Sequence, residues 1–126
     1  MKLTYTIDKE SKTVFVKAKG EITVNDLIEN EKKVIEDPDF EIGLNTLADF
    51  TYAKPSASVN FNMISLSSDF VKSIQGKRGK CKWAFIAPHD PAYGVCGMFS
   101  MLSNGLSIES SVFRTEDEAK KWLGLE

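Results

Sequence analysis

The single histidine and the two cysteines are the first residues to weigh for chemistry, because a thiol beside an imidazole is a minimal nucleophilic pair. Cys96 would need His89 as its base. If both lie along one helix, seven residues separate them by ~10 Å along its axis. Cys96 is therefore read as a small core residue and His89 as a partly exposed loop residue, with Cys81 inert at the start of an apolar strand. A zinc ion would have to draw on one imidazole, two distant thiols and a carboxylate. No metal or cofactor is expected. Acid–base chemistry needs two converging carboxylates, and Asp49 and Asp90 are the pair that the fold below brings to one rim. Each also has a structural task, Asp90 as a helix cap and Asp49 as an acceptor for turn N–H groups.

Binding offers more. Tyr93-Gly94-Val95-Cys96-Gly97 lacks the glycine-rich loop and the Lys-Ser/Thr of a phosphate-binding motif. Its glycines weaken a helix and so call for close packing or an approaching partner. Met63, Met98, Met101, Phe61, Phe99 and Tyr93 are core residues by default, and otherwise line an adaptable apolar groove between two helices. Ser56 stands at an expected helix start two residues after Lys54, where a phosphate would be favoured by free N–H groups and the helix dipole. The default for Ser56 is an ordinary cap.

The elements that must position these groups follow from periodicity. Residues 3–8 and 13–19 alternate as two strands joined by Lys9-Glu10-Ser11-Lys12, and Gly20 breaks the pattern. Thr23 with Asp26 three places on forms a variant capping box, opening a helix that ends at Glu36-Asp37-Pro38-Asp39. At about 100° per residue, Glu31 falls inside the apolar stripe of Leu27, Ile28, Val34 and Ile35. The default expectation is a helix overhanging the sheet with Glu31 wet; the alternative is a carboxylate held at an interface or pocket. Residues 44–50 are mixed apolar, as in a strand buried on both faces. The spacing of Val59, Met63, Leu66, Phe70 and Ile74 predicts a helix over 57–75 stopped by Gly76. Lys77, Arg78, Lys80 and Lys82 around Gly79 read as a solvated basic loop. Residues 83–87 form the most apolar strand, Asp90-Pro91 opens a helix to about Ser103, 108–113 return as a strand, and Thr115 caps a last helix.

This β-β-α-β-α-β-α-β-α order implies a small α/β domain over residues 1–126, with a mixed, mainly parallel sheet and its first strand antiparallel. Sites in open sheets gather beyond the carboxyl ends of the strands. That rim holds Asp49, Thr51, Lys54 and on to Ser58 in one segment, and His89, Asp90, Tyr93, Gly94 and Gly97 in the other.

Composition narrows the classes. The 126 residues are 42% hydrophobic and 27% charged, with 16 Lys+Arg against 18 Asp+Glu for a net charge of −2. A chain of this length buries roughly two thirds of its unfolded surface, enough for a core without disulfide or metal. Near-neutral charge gives no case for nucleic acid. The longest apolar run, Trp83 to Pro88, falls far short of the ~20 residues of a membrane span. Residues 1–8 alternate apolar and polar side chains and lack the continuous apolar run of a secretory signal, so a cytoplasmic protein with reduced thiols is expected.

Six further stretches stand out: the initial hairpin, Gly20-Glu21-Ile22-Thr23, Leu47-Ala48-Asp49-Phe50, Ala84-Phe85-Ile86-Ala87-Pro88, Tyr93-Gly94 with Met98-Phe99, and the closing 112–123 segment. In these the chain resembles the STAS-like superfamily of sulphate-transporter and anti-sigma-factor-antagonist domains, and within it the small stand-alone bacterial STAS-like proteins of undefined function. The shared stretches are packing and capping patterns. Anti-sigma antagonists carry Asp-Ser-Ser/Thr-Gly at the second helix, with a serine phosphorylated by a partner kinase; this chain has Lys54-Pro55-Ser56-Ala57-Ser58. The resemblance implies Ser56 or Ser58 as the phosphoacceptor, without the motif's Asp and Gly. Other members of the wider fold resemble lipid-transfer domains that hold an apolar ligand between helices and sheet. The leading expectation is a non-enzymatic regulatory or protein-interaction module, with a protein partner or a second copy of itself. The alternative is a small carrier for an apolar or amphipathic molecule in the Met63, Met98 and Phe99 groove, and an enzyme ranks last.

Overall fold

The computed structural model describes residues 2–125. Leu3–Asp8 (β1) and Thr13–Ile22 (β2) form the expected antiparallel hairpin, with Leu3 opposite Ala18 and Asp8 opposite Thr13. Val24–Glu36 (α1), Asn45–Pro55 (β3), Phe61–Ser73 (α2), Gln75–Arg78 (α3), Cys81–Ile86 (β4), Asp90–Leu102 (α4), Ile108–Phe113 (β5) and Glu116–Leu123 (α5) follow. The sheet runs β1-β2-β3-β4-β5, parallel from β2 onward. Because successive strand residues face opposite sides, Val16, Ala48, Phe50, Trp83 and Phe85 meet α1, α2 and α4. Leu47, Ala84 and Ile86 meet Ala119 and Trp122 of α5 on the other face.

Local chemistry sets the helix ends. The Thr23 hydroxyl accepts from the Asp26 N–H at 3.0 Å, and the Asp26 carboxylate accepts from the Thr23 N–H at 2.9 Å. Thr115 caps α5 through the Glu118 N–H, and Gly124 ends it in a left-handed conformation that favours glycine.

Three expected boundaries shift. Strand β2 does not stop at Gly20: it continues to Ile22, past an irregularity between Lys17 and Lys19, because β3 runs on to Pro55 beside it. Helix α2 starts at Phe61 rather than at residue 57, and Asn60 is its cap, accepting from the Met63 N–H at 3.0 Å. Gly76 is not a stop either, since it lies inside the short α3. Among the described residues, no helix is long and apolar enough to cross a membrane.

Candidate functional site

Helices α1, α2 and α4 do not close fully on the sheet. Between them lies a partly open cavity of about 120 Å³. Its floor is β2, β3 and β4; its walls are Val24, Leu27 and Ile28 of α1, Ile64, Phe70 and Val71 of α2, and Val95, Cys96 and Phe99 of α4. The polar side chains on it are few: Asn30, Glu31, Thr46 and Ser67. Phe85 is the centre of an aromatic group, its ring 6.1 Å from Phe50 and 5.7 Å, edge-on, from Phe99. The α2 and α4 walls are tied behind the cavity by buried hydroxyls, Ser68 and Ser103, whose oxygens lie 3.1 Å apart.

One charged group enters this apolar space. Glu31 is held there with 12% of its side-chain surface exposed, so the overhanging, wet arrangement is not what the helix adopts. Its partner is Arg78, whose side chain is 0% exposed, with Nε 3.0 Å from Glu31 Oε2. The expected solvated basic loop is therefore broken at Arg78, which turns inward from α3. The 37–44 segment folds over it: the Gly43 N–H donates to the Arg78 carbonyl at 2.8 Å, and Arg78 Nη1 donates to the Leu44 carbonyl at 3.4 Å. Arg78 Nη2 donates to the Thr46 hydroxyl. The guanidinium is sandwiched between the rings of Trp83 at 4.9 Å and Phe40 at 5.4 Å, a desolvated cation–π arrangement. Gly79 makes the fold-over feasible. Its φ is +74°, and a Cβ there would lie 2.6 Å from Ile42 Cγ1.

The pair is close in charge but imperfect in hydrogen bonding. The Arg78 Nε–H is not aligned on Glu31 Oε2, so neither atom completes a hydrogen bond at 3.0 Å. Burial pushes the Glu31 carboxyl up from its ordinary 4.5 to about 7, with the Arg78 charge opposing the rise. Cys96, on the opposite wall, is pushed up to about 12 by burial and is a neutral thiol. Cys81 is likewise raised, first by burial.

The other candidates are distributed differently. Asp49 and Thr51 lie within β3, not in a loop, and the Asp49 carboxylate accepts from the Thr51 N–H at 2.9 Å. Asp49 faces the α5 side, beside Lys17, Glu116 and Lys120. Asp90 starts α4 and is not its cap: His89 takes the cap position without a side-chain bond, and the Asp90 carboxylate takes Arg114 Nη1 at 2.7 Å. Arg114 also lies 3.8 Å over the Tyr93 ring. Asp49 and Asp90 are thus each engaged locally, Asp49 on the α5 side of the sheet. Lys54 lies in β3, one residue before its end at Pro55, and Gly94 and Gly97 lie within α4 with nothing within 4 Å of an added Cβ, so close packing does not account for them. Ser56 accepts from the Ser58 N–H at 3.3 Å in the turn before α2, four residues ahead of the cap. Of the expected groove residues, Phe99 lines the cavity, while Met63 and Met98 lie off it. Among the described residues no group of three or more His, Cys, Asp or Glu is placed to hold a metal ion.

No family model matches the sequence, and no curated protein matches it. Among solved structures, the chain is similar to an uncharacterized protein of the DUF3478 family with a SpoIIAA-like fold from Shewanella loihica PV-4. The two are 16% identical with a TM-score of 0.59, over 96% of this chain and 93% of that one. The likeness is one of fold, and that fold is SpoIIAA-like.

Proposed function

We propose that the protein is a carrier or receptor for a small apolar molecule held between α1, α2, α4 and the sheet. The observation behind this reading is the cavity itself: about 120 Å³, apolar but for four polar side chains, and partly open. Apolar cavities of ~150 Å³ stay dry and take up benzene-sized molecules, because the lining gains dispersion contacts that water does not supply. Ala48, buried on β3, faces the space. Ala48→Leu puts three more carbons into it and should abolish calorimetric binding of toluene, while stability stays within ~1–2 kcal/mol of the parent chain. Toluene that binds neither protein, or both equally, contradicts the proposal.

A second reading, a non-enzymatic interaction module that pairs with a second copy of itself, is favoured by exposed apolar side chains on the adjacent α2 and α4. Phe61 is 58% and Met101 79% exposed, alongside Leu66 and Met98. Sedimentation velocity is expected to show a dimer that Leu66→Glu with Met101→Glu converts to monomer; a monomeric parent chain refutes this reading.

A further inference from the structure

The cavity's lining also defines what kind of molecule belongs in it. We infer that the ligand is a neutral aromatic molecule of roughly six to eight non-hydrogen atoms carrying one hydrogen-bond donor, which it presents to the Glu31 carboxylate. This rests on the carrier reading and goes further by naming the ligand's chemistry.

Size and shape come from the walls. Phe50, Phe70, Trp83, Phe85 and Phe99 all face the space, and rings prefer offset or edge-on contact with another ring. A flat ring finds such contacts from both the sheet and the helices.

Polarity comes from Glu31. A buried carboxylate accepts several hydrogen bonds; Oε2 of Glu31 is enclosed against Arg78, 3.0 Å away, whereas Oε1 is not enclosed and receives no donor from the described residues. A ligand O–H or N–H supplies a missing donor in a site where water is a poor competitor. Charge is selected by the same pair. Arg78 is closed off behind Glu31 by Phe40, Trp83 and the 37–44 segment and contributes nothing to the cavity lining. An anionic head therefore meets the carboxylate first, and a cationic head must share it with a guanidinium already in place. A neutral donor meets neither penalty and surrenders the least hydration on entry.

Three probes of similar size separate these terms: phenol, toluene and 2-furoate, titrated calorimetrically at pH 8. Phenol is expected to bind one per chain, ~10-fold or more tighter than toluene, with 2-furoate weaker than both. In Glu31→Met with Arg78→Met, which removes the pair together so that no lone buried charge threatens folding, the order of phenol and toluene should reverse. Toluene binding with no preference for phenol, 2-furoate binding as tightly as phenol, or a phenol preference that survives in the double variant overturns the inference and leaves the cavity reading standing. Failure of toluene to bind the parent chain overturns both.

Discussion

Arg78→Met is expected to lower the unfolding free energy by roughly 3–5 kcal/mol at pH 8, far more than its place in a run of basic residues suggests. The variant keeps the length of the side chain but deletes the charge that faces Glu31, the donors to Leu44 and Thr46, and the cation between Phe40 and Trp83. Most of the loss comes from what stays behind, a carboxylate in an apolar cavity with no countercharge. Glu31 can escape by taking up a proton, so the deficit should shrink toward pH 5. The mirror variant Glu31→Gln has no such escape, because a guanidinium does not deprotonate. Removing both groups, as Glu31→Met with Arg78→Met, should recover most of the stability, since a buried pair replaced by apolar side chains of similar volume is often neutral in effect. Urea unfolding of the three variants at pH 5 and pH 8 reads all of this. An Arg78→Met protein as stable as its parent means that the guanidinium is not buried in solution.

The second large effect is the pH dependence of the native protein. Folding raises the Glu31 carboxyl from 4.5 to about 7, so between those values the folded chain holds a proton that the unfolded chain has released. Protonation then favours the folded state. Stability should fall as pH rises through this window, by up to roughly 3 kcal/mol, and level off above it. Glu31→Gln should be flat over the same range. Below the window the sign reverses. Asp26 is held low by the Thr23 N–H, and Asp37 by the Asp39 N–H and the Tyr5 hydroxyl, so both add stability that disappears as pH drops below their ordinary 3.8. The native protein should therefore be most stable near pH 4–5. Thermal melts across pH 3–8 test the curve, and a Glu31→Gln protein with the parent's slope between 4.5 and 7 would assign that slope to another group.

Both results depend on residues that are informative in sequence to different degrees. The order of strands and helices, the hairpin of residues 3–19, the Thr23 and Thr115 caps and the most apolar strand at 83–86 are all legible locally, because they rest on periodicity and on hydrogen bonds that span three or four residues. Glu31 is legible as an anomaly, a carboxylate within the stripe of Leu27, Ile28, Val34 and Ile35. The segment of residues 54–60 is harder to read. Lys54-Pro55-Ser56 looks like a turn and a cap, but pairing of β3 with residues 19–22 of β2 draws the strand through Pro55, and Asn60 takes over as the cap.

Local pattern thus specifies a mixed α/β sheet, its helix ends and the oddity at Glu31. Where the charge goes is set by long-range packing. Arg78 reads like its neighbours Lys77 and Lys80, and nothing within a few residues of it states that it turns inward. Its partners are Leu44, Thr46 and Glu31, 34, 32 and 47 positions away, and they surround it only after the 37–44 segment has closed over Gly79. The cavity is equally nonlocal, because its existence depends on how far three helices stand from one sheet. A local pattern names which faces are apolar, and only packing decides how much space is left between them.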